Sequence, residues 1–330
     1  MKKSLLALAV LGAFAGAASA QSSVTIYGSI DLAIAKSNGG TSGNNGGPAG
    51  ASKAWTMQQS NSSRLGFRGN EDLGGGLSAQ FQIEHRYTPD DGAAANPFWA
   101  GRSYVQLTSA AAGSVYLGRE YTPAFWPAVK SDPFGWDGVG QMGSLQWGGY
   151  TAPGNPFGGV RSSNSIGYKS PNLGGLTVQG AIGLSETTQV GRNNGFNVEY
   201  SGGPLYAALG YEKIADGTND GRGVINGAVH YDFGFVKAIG YLAQAKIGAN
   251  GNTKSKVWQI GATAPIGPGK LKAAYINVNP DGADNNTKKF AIGYDYPFSK
   301  RTNVYADFGK TKTDLLTNNN TFAFGVKHTF

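Results

Sequence analysis

Cysteine is absent from this 330-residue chain, and methionine is scarce, with only three residues. No disulfide framework or cysteine-based metal site can therefore be built. The three histidines, His85, His230 and His328, are too far apart to show metal-ligand spacing. No nucleophile elbow, zinc motif or phosphate-cradling loop is present, and the glycine run at 74–76 precedes no helical pattern. Long apolar runs are also missing. After Ala20 nothing approaches ~18 consecutive apolar residues, which excludes a membrane-spanning helix. Enzymatic chemistry, metal binding and helical membrane insertion all lose their usual carriers, and no cofactor is expected.

What is present is alternation. Thr321–Phe330 reads TFAFGVKHTF, with Phe322, Phe324, Val326, His328 and Phe330 on one face and Ala323, Gly325, Lys327 and Thr329 on the other. Period two is the mark of a strand with a different environment on each side. The first twenty residues supply the context. Lys2 and Lys3 precede the apolar run Leu5–Ala15, and Ala-Ser-Ala closes it at Ala20. This is the pattern of a secretory signal peptide over 1–20, leaving 21–330 as one folded unit. The net charge of +8 then falls by the two leader lysines to +6. An exported chain of amphipathic strands can cross a membrane only as a closed barrel, because every backbone polar group must be paired.

About sixteen such strands are predicted, at 23–36, 54–70, 77–88, 101–109, 114–120, 161–170, 175–184, 194–201, 204–214, 223–232, 235–246, 256–265, 269–279, 288–297, 302–312 and 320–330. Tight turns and longer polar loops alternate between them, as in outer-membrane barrels. The charges set the register, since Arg or Lys at the lipid midplane costs roughly 2–4 kcal/mol. Phe81, Ile83, Val105, Leu107, Ile166, Tyr168, Phe290 and Ile292 are expected to face lipid. Gln80, Glu84, Arg86, Arg102, Gln106, Arg161, Lys169, Lys289 and Asp307 are expected to face the lumen, which must then be hydrated. Strands 235–246 and 269–279 resist this assignment, as both their faces carry apolar residues. Tyr27, Tyr168, Tyr200, Tyr211, Tyr231, Tyr294 and Tyr296 near strand ends fit an interfacial aromatic girdle. The forty residues 121–160 are an outlier: five prolines, many glycines, Trp126, Trp136 and Trp147, and no alternation. A long aromatic-rich loop packs on something, and in a wide barrel the free surface is the inner wall; the alternative is an extracellular cover loop or a small exposed subdomain.

Four segments and the terminal Phe330 resemble the general porins of β-proteobacteria, of the neisserial and comamonad type. They are SVTIYGSI at Ser23–Ile30, SRLGFRGNEDLGGGL at Ser63–Leu77, SVYLGR at Ser114–Arg119 and NSIGYKSP at Asn164–Pro171. The resemblance implies an all-β, 16-stranded antiparallel transmembrane barrel in the outer membrane, assembled as a homotrimer, with 121–160 folded inward as a constriction loop. It implies passive diffusion of small hydrophilic solutes, with anion selectivity from an arginine cluster. By local context that cluster falls on Arg64, Arg102 and Arg161, with Glu84 and Asp132 as acidic counterparts. Arg86, Arg119, Lys130 and Lys169 read instead as ordinary wetting of the lumen. The expected partners are small hydrophilic and anionic solutes, further copies of the chain, and outer-membrane lipid and lipopolysaccharide; no nucleic acid is expected. The alternatives are a substrate-specific anion channel, for phosphate or organic acids, and a surface adhesin acting through its loops.

Overall fold

The computed structural model describes residues 23–43, 53–150, 159–186, 191–248, 251–282 and 286–330. The expected leader lies outside them. A single antiparallel sheet holds eighteen strands, of which Trp55–Gln58 and Ala93–Ala94 are short additions at the rim. The remaining sixteen form the wall. They are β1 (Ser23–Ser37), β2 (Arg64–Gly74), β3 (Leu77–Thr88), β4 (Ser103–Ser109), β5 (Gly113–Tyr121), β6 (Arg161–Lys169), β7 (Leu176–Gly183) and β8 (Arg192–Gly202), followed by β9 (Leu205–Ala215), β10 (Gly223–Asp232), β11 (Lys237–Ile247), β12 (Thr253–Ile266), β13 (Gly269–Pro280), β14 (Thr287–Pro297), β15 (Thr302–Thr313) and β16 (Asn319–Thr329). Each pairs with its neighbour in sequence.

The sheet closes through β1. Its first half, Ser23–Ser29, pairs with Asn70–Arg64 of β2, and its second half, Ser29–Ser37, pairs with Thr329–Thr321 of β16. Gly28 and Phe330 exchange two backbone hydrogen bonds of 3.1 Å at the seam. Among the described residues every wall strand has a ladder partner on both sides over at least part of its length, the closure a hydrocarbon surround demands. No helix among the described residues is long and apolar enough to cross a membrane.

The outer face is apolar and open. Val105, Leu107, Leu209 and Leu242 are each more than half exposed, a surface that only a nonpolar surround tolerates. Tyr168, Tyr200, Tyr231 and Tyr296 lie on it near strand ends. Tyr27 does not: its hydroxyl turns inward and donates to Glu84 at 3.1 Å. The inner face carries Glu84, Gln106, Lys289 and Asp307, all buried.

Two expectations change in detail. The strand expected over 54–70 is two, Trp55–Gln58 against Ala33–Lys36 of β1, and then β2. Between them the chain leaves the ladder because other partners hold it. The Ser60 N–H donates to Asp31 at 2.7 Å, and the Gly138 N–H donates to the Ser60 carbonyl at 3.0 Å. The double-sided apolar pattern of β11 and β13 also has a cause. Tyr241, Ala243 and Ala245, with Ala274, Ile276 and Val278, belong to one buried cluster with Phe125, Phe134, Met142, Trp147 and Tyr150 of the segment after β5. Their inner faces are apolar because that segment covers them.

Candidate functional site: an arginine cluster and the segment packed beside it

The segment after β5 is built around one carboxylate and several wall contacts. A short helix, α1 (Phe125–Ser131), is followed by a 3-10 turn at Gly143–Trp147. Between them Asp132 accepts N–H groups from Phe134 (3.0 Å), Trp136 (3.0 Å), Met142 (2.8 Å) and Gly143 (3.4 Å). Burial pushes the Asp132 carboxyl up, and these four bonds oppose that shift. The wall grips the segment through polar side chains. Asn197 and Asn226 donate to the carbonyls of Pro123 and Ala124 at 2.9 Å. Gln259 donates to the Ser131 carbonyl at 2.5 Å, and the Tyr241 hydroxyl donates to the Gln146 carbonyl at 3.1 Å. Tyr150 reaches Glu212 at 3.0 Å. Trp147, fully buried, packs within the segment against Trp136 and Tyr150.

On the neighbouring arc of wall, β2 to β6 bring five cations together around two carboxylates. Glu84 lies 2.7 Å from the Arg86 guanidinium and 4.0 Å from that of Arg64. Glu120 is chelated by Arg102, at 2.5 Å for the closest pair, with Lys169 at 3.7 Å. Arg161 has no ion pair with a described carboxylate. Its NH2 donates to the Tyr121 hydroxyl at 2.9 Å, and its guanidinium lies 4.5 Å from the centre of that ring. Tyr121 joins the set: Arg86 reaches the same hydroxyl at 3.4 Å, Arg102 lies 5.5 Å from the ring, and Phe125 stacks on it at 4.7 Å. Arginine suits such packing, since its flat weakly hydrated guanidinium stays charged and stacks. With five cations and two carboxylates, the cluster carries a net charge of +3.

The sequence-derived candidates thus separate. Arg64, Arg102, Arg161 and Glu84 come together in this cluster. Arg102, however, is neutralised by Glu120. Asp132 lies apart from this cluster, at the rim of the cavity described next, with its oxygens accepting N–H groups from its own loop. The loop carboxylate that reaches the arginines is Asp137: Asn61 donates one amide N–H to Asp137, and its oxygen accepts from Arg64 at 2.8 Å. Arg86 belongs to the cluster as fully as Arg161, and its position two residues from Glu84 on one strand face was a legible signal. Glu120 was open from the sequence as one of three carboxylates, with Glu71 and Glu84, that could pair with these arginines; Tyr121 was not legible. Adjacent residues should point to opposite faces, but a β-bulge between Gly118 and Glu120, with Gly118 at φ +131°, re-aims the strand end.

A second charged surface lines a cavity of 620 Å³ beside the loop. Asp31, Asp132, Asp137, Asp295 and Asp307 meet Lys270, Lys272 and Lys327 there. Lys272 bridges Asp295 at 2.7 Å and Asp307 at 3.4 Å. The formal balance of these five acids and three lysines is two negative charges. Asp137 makes it pH-sensitive. Burial pushes its carboxyl up to about 6; Lys327, Arg64 and the Asn61 amide oppose the shift, and Asp31 adds to it. The group is ionised at pH 7 and neutral at pH 5, so the lumen gains positive character on acidification. The chloride-to-potassium permeability ratio should rise from pH 7 to pH 5, and Asp137→Asn should lose part of that rise. Reversal potentials recorded across the range in both proteins check it.

A family model described as Gram-negative porin matches residues 7–316. Outer membrane porin protein 32 of Delftia acidovorans is 38% identical over 325 residues, covering 94% of this chain and 90% of that protein. Major outer membrane protein P.IB of Neisseria meningitidis serogroup A is 26% identical over 340 residues, covering 94% and 93%. Among solved structures, the anion-selective porin from Comamonas acidovorans superimposes with a TM-score of 0.82 at 29% identity, covering 94% of this chain and 100% of that one.

Proposed function

The chain belongs to the Gram-negative porin family of outer-membrane channels, passive conduits rather than enzymes, and from that premise we propose that it passes small hydrophilic solutes with a preference for anions. The observation that carries the preference is the net +3 cluster of Arg64, Arg86, Arg102, Arg161 and Lys169 around Glu84 and Glu120. Rings of Arg or Lys select anions, and low-dielectric walls focus their field into the water between them. Arg161 contributes most, because its charge is offset by a ring and a hydroxyl rather than by a carboxylate. The segment 122–150, braced on the inner wall, narrows the channel beside the cluster, so a solute passes within reach of the guanidinium groups. The acidic surface at Asp137 gives the narrow place a transverse field. Met1–Ala20 is removed on export, and three copies assemble.

In planar bilayers under a KCl gradient, the reversal potential should have the sign of chloride preference. The preference should weaken from 0.1 M to 1 M salt, as the screening length falls from about 10 Å to about 3 Å. Potassium preference in the unaltered protein would reject this reading.

A further inference from the structure

Between the rim strand Trp55–Gln58 and β2 the chain leaves the ladder over 59–63, and this short polar excursion is fixed along its length. The Ser63 N–H donates to the Gln59 side chain at 2.7 Å, and the Asp31 N–H of β1 donates to the Ser63 hydroxyl at 3.1 Å. The Ser62 carbonyl accepts from Arg86 at 3.0 Å. Ser60 is held on one side by Asp31 and on the other by the Gly138 N–H of the inner segment. What the excursion presents at its centre is Asn61, 5% exposed.

Asn61 stands between two charges of opposite sign. Its amide oxygen accepts from the Arg64 guanidinium at 2.8 Å, and its amide N–H donates to the Asp137 carboxylate. Among the described residues no ion pair joins Arg64 to Asp137 directly. A guanidinium offers only donors and an ionised carboxylate only acceptors, so one amide satisfies both, and only in this orientation. The Asn61 bond is also the short polar contact of Arg64. Glu84 is 4.0 Å away, and the Arg64 Nε is buried without a partner. A guanidinium held this loosely beside a carboxylate would close onto it if the amide were gone, since a charge-assisted pair is the stronger bond.

We propose that Asn61 is a positioning residue for selectivity: a neutral spacer that keeps Arg64 and Asp137 out of a direct ion pair, so that each charge acts on the passing solute from its own side. The proposal deepens the reading of the channel above and rests on solutes passing beside the cluster. In contact, the two charges would cancel within a few ångströms; held apart, they sustain the field between the arginine arc and the acidic surface. Around Asp137 stand Arg64 on β2, Asp31 on β1, Lys327 on β16, Asp307 on β15, Asp295 on β14, Lys270 and Lys272 on β13, and Asp132 on its own loop.

The test follows the permeability ratio of the mature channel against pH in planar bilayers under a KCl gradient. The Asp137 response is the part of the pH dependence that D137N removes, with a midpoint near 6 in the parent. In N61A the Arg64 guanidinium should close onto Asp137. An opposite charge at contact lowers a carboxyl by about one to three units, so the midpoint should fall by about one unit or more. In N61D a second carboxylate faces Asp137, and the midpoint should rise instead. In an R64Q background the alanine removes a donor and supplies no cation, so there too the midpoint should rise. Water entering a loosened loop would lower it in both backgrounds, which separates damage from ion pairing. Heat-shifted gel mobility of each variant should match the parent, since the excursion lies outside the wall's ladders. The midpoints are read whichever ion the channel prefers, so potassium preference would reject the anion reading and leave this result standing. A midpoint unmoved or raised by N61A, an equal fall in the R64Q background, or a pH response untouched by D137N would each overturn the proposal.

Discussion

Arg64→Glu combined with Arg161→Glu should turn the channel from chloride-preferring to potassium-preferring. The pair is chosen because Arg161 has no ion pair with a described carboxylate and Arg64 stands 4.0 Å from Glu84, farther than the 2.7 Å of Arg86. Arg102 chelates Glu120, which is 1% exposed, so its reversal would set two carboxylates together and confound selectivity with damage. With both substitutions the cluster holds Arg86, Arg102 and Lys169 against Glu84, Glu120 and two new carboxylates, and its net charge moves from +3 to −1. A unit charge ~7 Å from a permeating ion is worth ~0.6 kcal/mol in water. A change of four units, halved by screening, shifts each ion's free energy by about 1 kcal/mol in opposite directions. The chloride-to-potassium ratio should therefore fall by roughly tenfold or more, since ~1.4 kcal/mol is one decade. Reversal potentials in a KCl gradient measure this directly. An unchanged ratio would mean that ions pass without sensing the cluster.

Asp132→Ala should release the inner segment while leaving the barrel intact. Its carboxylate accepts four backbone N–H groups that hold the turn between α1 and the 3-10 turn, and the side chain is 5% exposed. A buried N–H left without a partner costs about 1–3 kcal/mol, so the loop should lose about 3 kcal/mol or more. The wall's ladders do not depend on this residue. Protease cleavage within 122–150 should accelerate, single-channel conductance should rise and become noisier, and the heat-shifted gel mobility of the folded barrel should persist. If Asp132 acted mainly as a charge facing the solute, the variant would change reversal potential at constant conductance and resist protease. The two roles thus give opposite results in the same recording.

The residues that mattered were legible to different degrees, and the difference is physical. The wall was written in local alternation. Phe81 and Ile83 out, with Gln80 and Glu84 in, follows from the period of the strand and the cost of charge in lipid, so strand positions and facing were readable without any partner in view. Arg64, Arg102 and Arg161 were legible through motifs on three separate strands. Their companions were less so. Arg86 needed only the facing already assigned to Glu84. Glu120 could be read as one of three carboxylates open to the arginines, but its place beside Tyr121 depends on a bulge, which leaves no pattern in the sequence around Gly118. Asp132 and Asp137 are both acids in one loop, and nothing in their spacing says which is consumed by backbone N–H groups and which reaches Asn61 and Arg64.

Amino-acid order alone therefore determined a closed sheet with an apolar outside and a charged inside, because facing repeats every two residues and the membrane penalises each error locally. Only the tertiary structure decided which charges stay free. Pairing between Arg102 and Glu120, burial of Asp132 and the apolar inner faces of β11 and β13 arise from contacts between residues far apart in the chain. Those contacts exist only once the sheet has curved far enough to bring them within a few ångströms.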